Sequence, residues 1–94
     1  MTAGSDALGR ALDLLERGDW KAAHEIVQGE SSSLAAWLHG IVHTLEGDLD
    51  NARYWYRRAE RRFLGPGAVR AEITAARDAL HAGGGRAAES RGGP

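Results

Sequence analysis

Glu16-Arg17-Gly18-Asp19-Trp20-Lys21-Ala22-Ala23 is echoed 29 residues later by Leu45-Glu46-Gly47-Asp48-Leu49-Asp50-Asn51-Ala52. Each stretch ends one amphipathic run, turns on a Gly-Asp pair, and starts another run with a bulky apolar residue and a small residue three positions on. Glycine can take the left-handed conformation that closes a helix, and the aspartate carboxylate can cap the next one. Alanine then lets the two helices approach closely. A chain that writes this device twice is built from antiparallel helix pairs with tight connections.

Outward from these turns, apolar residues recur at three and four. Leu8, Leu12 and Leu15, with Ala11 and Leu14, predict helix one over about 6–17. Trp20, Ala23 and Val27 predict helix two over about 20–28, followed by a turn whose serines offer several N-caps. Helix three, about 33–46, carries the stripe Leu34, Leu38, Ile41 and Leu45, flanked by Trp37 and Val42. Helix four is expected over about 49–63, with Ala52, Tyr56, Ala59 and Phe63 at helical spacing. Gly65-Pro66-Gly67 breaks the chain, and Pro66 suits the first turn of a fifth helix reaching 81 or 82, with Val69, Ile73, Ala76 and Leu80 inward. Residues 1–5 and the Gly-rich 83–94 lack a sustained apolar period and are expected to be disordered, leaving 6–82 as one helical domain.

The 94 residues hold no cysteine, which excludes disulfides and thiolate metal sites. Met1 leads into neither a basic flank nor an apolar run, and no stretch approaches the roughly 20 apolar residues that cross a bilayer. A cytoplasmic address with no membrane partner is the expectation. The net charge of −1 removes the long-range field on which non-specific nucleic-acid binders rely, and so weighs against that partner.

The second hairpin resembles the tetratricopeptide repeat through Gly40, Gly47-Asp48-Leu49, Ala52, Tyr56, Ala59 and Pro66. The first resembles it through Ala11, Gly18-Asp19-Trp20 and Ala23. The likeness covers about residues 8–64, with a period of 29 rather than the usual 34 or so. It implies an all-α, tetratricopeptide-like α-α superhelix of two antiparallel hairpins and a C-terminal capping helix. It also implies a non-catalytic binding or scaffold module with a groove for a protein or peptide partner. Two repeats expose apolar ends, which makes a homodimer reasonable. The run Ala23-His24-Glu25, Trp37-Leu38-His39, His43, Glu46-Gly47-Asp48 and Asn51 to Ala59 is also similar to a small group of short bacterial proteins, a resemblance that brings no activity with it.

Two constellations could carry chemistry. At about 100° per residue, His39, His43 and Glu46 share a narrow sector of helix three, roughly opposite its leucine stripe. Imidazoles at i and i+4 can meet one metal ion or one anion, and Glu46 can orient His43. His24 and Glu25, on the neighbouring hairpin, could complete a pocket or serve as acid–base groups. This makes a small-molecule or metal site, possibly catalytic, the alternative function, with His39 and His43 as the candidate metal ligands. No nucleophile motif, phosphate loop or dinucleotide fingerprint is present, so the non-catalytic reading leads and no organic cofactor is expected.

The stripe turns the histidines away from the densest core, whereas the repeat register turns them toward helix four. Both hold if helix three is buried on two sides, with Ala36 and Gly40 allowing close approach. Helix four supplies the second constellation. Arg53, Arg57 and Arg61 form one ladder that could hold carboxylates or phosphates, and Arg58, Tyr54 and Trp55 stand beside it. With Trp37, these residues are the candidate contacts for an acidic partner. Pairing of the arginines with Asp48, Asp50 and Glu60 is the competing, purely solvated arrangement.

Overall fold

The computed structural model describes the backbone of residues 3–85 and the side chains of residues 6–82. These residues form five α-helices: α1 (Ala3–Glu16), α2 (Trp20–Val27), α3 (Ser33–Glu46), α4 (Leu49–Arg58) and α5 (Val69–Gly85). A 3-10 turn over Pro66–Ala68 precedes α5, and there is no strand among the described residues. None of these helices is long and apolar enough to cross a membrane.

Both Gly-Asp turns form as their chemistry dictates. Gly18 and Gly47 sit at φ 80° and 95°. In each turn the aspartate N–H closes back on the helix just ended, Asp19 to the Leu14 carbonyl and Asp48 to that of His43, both at 2.9 Å. The same aspartates open the next helix, their side chains accepting from Ala22 N–H at 3.3 Å and Asn51 N–H at 3.4 Å. Ser32 is the serine that caps α3, accepting from Ala35 N–H at 3.0 Å. The result is two hairpins, α1 on α2 and α3 on α4, joined by packing of α2 on α3.

Helix α3 is the centre of the molecule, packed against α2, α4 and α5 and touching α1. Leu38, Ile41 and Val42 are fully buried, and so on other sides are Trp37, His39 and His43. The leucine stripe and the histidine side of α3 are therefore both covered by other helices. On the α4 side the close approach is made at Gly40. A Cβ there would lie 2.5 Å from Cδ1 and 2.7 Å from Cε1 of the Tyr56 ring. Thr44, also buried, returns its hydroxyl to the Gly40 carbonyl at 2.8 Å, as a buried hydroxyl inside a helix must.

Three boundaries differ from the sequence expectation. Helix α1 is already helical at Ala3, and α5 continues through the three glycines to Gly85; residues 1–2 and 86–94 lie outside the described residues. The third difference matters more, because α4 stops at Arg58 rather than near 63. Its end is a left-handed closure on a residue that is not glycine: Glu60 has φ 60°, and Arg61 N–H donates to the Tyr56 carbonyl at 2.9 Å. Phe63 still reaches Tyr56, edge to face at 5.3 Å, but from irregular chain beyond the helix. Helical spacing persisted in the sequence although the helix did not.

Helix α5 does not simply extend the array. It packs on α1 and α3 together, covering the face those two helices share. Arg77 ties it to α1 by donating to Asp13 at 2.8 Å and Glu16 at 3.1 Å.

Gly40→Ala should drive a methyl group into the Tyr56 ring and lower the unfolding free energy by about 2 kcal/mol. Urea denaturation with an unchanged m-value checks this, and a neutral outcome would mean that α3 and α4 do not approach so closely.

Candidate metal centre

The second hairpin brings His39 and His43 to the side of α3 that faces α2 and α4. One turn apart, their rings stack at 5.0 Å between centroids. His24 reaches them from α2, edge-on, at 4.8 Å from His39 and 5.3 Å from His43. One ring nitrogen from each histidine lies within 4.8 Å of the other two. From α4, the indole of Trp55 lies flat on His39, with centroids 3.8 Å apart and planes 5° from parallel. His39 and His43 are 6% and 7% exposed, whereas His24 is only half-buried, so the cluster opens to solvent along α2.

Glu46 joins the cluster as its spacing suggests. Its Oε1 lies 2.8 Å from His43 Nδ1. A carboxylate only accepts, so Nδ1 carries the hydrogen and the lone pair of neutral His43 is left on Nε2. Asp48 comes within reach of His43 and Glu46 at the exposed end of the same group. Glu25 is exposed and shares in none of the ring contacts or hydrogen bonds that join the others, and the fourth histidine, His81, stands apart on α5.

Burial, and then the neighbouring charges of His24 and His43, push the His39 pKa down to about 4. At neutral pH this ring is therefore an uncharged base. The three imidazoles stand in mutual contact, and two of them are nearly inaccessible. The larger cleft, about 720 Å³ beside Leu15, Leu45, Val69 and Ile73, involves none of them.

The other candidate contacts separate into two kinds. Trp37 is 3% exposed, its indole N–H donating to Glu72 at 2.9 Å, so it belongs to the interior and offers nothing to a partner. The arginine ladder is broken because α4 ends at Arg58, and Arg61 turns back to lay its guanidinium carbon 3.4 Å over the Trp37 ring. Arg53 lies 3.6 Å from Asp50 and over Phe63. Arg58 donates to the Tyr54 hydroxyl at 3.0 Å and lies 5.4 Å over Trp55. Tyr54, 42% exposed, and Arg57 remain on the surface.

Glu72 is the residue that sequence reasoning missed. It is 8% exposed, and its Oε1 accepts from both Trp37 and the Tyr56 hydroxyl, the latter at 3.0 Å. The available signal was its position among Val69, Ile73 and Ala76, on the inward face of α5. Burial first, and then the Glu72 carboxylate, raises the Tyr56 pKa and keeps the phenol a donor. Compared with known proteins, the chain matches no family model, no curated protein and no solved structure.

The depressed His39 pKa has a signed consequence. Between the unfolded value near 6.5 and about 4, the unfolded chain binds a proton that the native protein refuses, so stability rises with pH across this window and is lost on acidification. For EDTA-treated protein the His39 share should be on the order of 3 kcal/mol between pH 7 and 4. His39→Leu should flatten the pH dependence of urea midpoints by that share. An unchanged slope would show that His39 protonates freely.

Proposed function

We propose that the chain binds a divalent transition-metal ion of the zinc, nickel or copper kind through His24, His39 and His43. One observation carries this reading: three imidazole nitrogens, supplied by two helices, lie within 4.8 Å of one another. Zinc–imidazole bonds of about 2.0–2.1 Å require the rings to draw closer, and His24, half-exposed on α2, has the freedom to do so. Imidazole suits the later first-row ions better than magnesium or calcium, which prefer oxygen. Glu46 supplies the carboxylate partner that metal-binding histidines commonly have, holding His43 with Nε2 available. Low proton affinity at His39 favours metal over proton at neutral pH. Three protein ligands leave a fourth position for water or a small anion, as in catalytic rather than closed structural zinc sites. In this reading the two hairpins form a tetratricopeptide-like frame whose junction holds the ion.

A second reading rests on a different observation, the exposed face of α4. Tyr54, Arg57 and Arg58 stand together there, and an acidic protein segment would match their charge. The expected partner, peptide or second copy of the chain, would then dock outside the hairpin junction, because α5 covers the face of α1 and α3.

Titration of metal-free protein with Co(II) and Zn(II) separates the two readings. The metal reading expects one equivalent of Co(II) to produce visible d–d absorption that Zn(II) displaces. It expects His43→Gln to remove the absorption with helicity retained, and Glu46→Gln to weaken binding by about 10–100-fold. No absorption at one equivalent ends the metal reading and leaves the α4 face as the functional surface.

A further inference from the structure

Trp37 lies two residues before His39 on α3, so it leaves the helix on nearly the opposite side, at about 200°. There it meets Glu72 of α5. Both hydrogen bonds to this carboxylate, from the Trp37 indole at 2.9 Å and the Tyr56 phenol at 3.0 Å, converge on Oε1. Oε2 has no hydrogen-bond partner and Glu72 no arginine or lysine within 4.0 Å among the described residues. The nearest candidate, Arg61, lies flat on the Trp37 ring instead. A carboxylate offers about four acceptor positions, and this one, on a residue only 8% exposed, has two of them filled, both on Oε1.

The residue closes one side of a cleft of about 470 Å³ lined by Glu60, Arg61, Arg62, Leu64 and Glu72. That volume is in the range of small-molecule sites. The lining combines features left unused elsewhere. Leu64 is 53% exposed, one of two large hydrophobic side chains on the surface among the described residues. Arg62 is exposed and pairs with no acid among the described residues. Glu60 stands at the lip in the left-handed conformation that ends α4. Two carboxylates repel a simple anion and two guanidinium groups repel a simple cation. A ligand carrying both charges can answer one group of each sign.

We propose that this cleft binds a small zwitterion with an aliphatic side chain, a free α-amino acid. Its ammonium group takes the open Glu72 oxygen, its carboxylate takes Arg62, and its side chain covers Leu64. The site is independent of the histidine centre and of any metal there. The N-terminus of a peptide shares the ammonium and the side chain but lacks the adjacent carboxylate, so the two sources can be told apart.

The test is titration of the full chain with L-leucine, followed by amide chemical shifts. The expected result is saturable one-to-one binding at about millimolar affinity or tighter, with shifts centred on residues 60–64 and 72. N-acetyl-leucine, without the ammonium, and leucinamide, without the carboxylate, should each bind at least about 10-fold more weakly. Glu72→Gln should abolish binding. Because Glu72 also holds Trp37 and Tyr56, Arg62→Ala serves as the fold-neutral variant and should weaken leucine at least about 10-fold with unchanged circular dichroism. Absence of shifts at about 10 mM leucine overturns the proposal, as does N-acetyl-leucine binding as well as leucine. Equal binding of leucinamide overturns the free amino acid and assigns the cleft to peptide N-termini.

Discussion

Helix α3 is enclosed by other helices around most of its circumference, and yet its sequence is not apolar all round. Trp37, His39, His43 and Thr44 each bring a polar atom into the interior. A buried polar atom without a partner costs on the order of 1–3 kcal/mol, a large fraction of what a chain of this size can accumulate in stability. The neighbours of α3 are therefore constrained to answer it group by group. Thr44 is answered within the helix itself, by the Gly40 carbonyl. His43 is answered by Glu46 one turn on, and the Trp37 indole by Glu72 from α5. His39 alone is met by carbon and nitrogen rings, Trp55 on one face and His24 and His43 around it.

The unequal answers produce two electrostatically opposite sides. Toward α2 and α4 the interior holds imidazoles, among them His39, whose protonation is opposed by burial and by its two neighbours. Toward α5 it holds a carboxylate with two donors on one oxygen and nothing on the other. A salt bridge would complete the second side, but Arg61 prefers the face of Trp37, where the indole quadrupole and the loss of competing water favour it. A fold seeking stability alone would have replaced these groups with leucine and phenylalanine, since apolar packing of the same volume carries no desolvation cost.

Much of this was legible in the sequence because the signals were local. The Gly-Asp pairs act over three or four residues, as do the capping bonds and the His39–His43–Glu46 spacing, and all of them form. His24 was drawn into the same group because the 29-residue echo places α2 beside α3. The failures arise where long-range packing overrides a local pattern. Ala59 and Phe63 continue the period of α4, but Phe63 attains its contact with Tyr56 from irregular chain beyond the helix, which closes at Glu60, where no glycine marked a stop. Trp37, beside the stripe of α3, was also expected among the contacts for an acidic partner, because the α5 carboxylate that takes its indole N–H is 35 residues away in the chain. Glu72 was unreadable for the same reason, since a glutamate in an amphipathic helix ordinarily faces water.

Residues 55 and 56 show how closely the two sides are linked. Consecutive residues on a helix point about 100° apart, and at this place on α4 the divergence sends Trp55 onto His39 and Tyr56 past Gly40 to Glu72. The missing side chain at Gly40 sets how near α4 can come, and that one distance positions an aromatic ring at each side. Any movement of α4 relative to α3 would slide Trp55 over the histidines and shift the Tyr56 hydroxyl from Glu72 together.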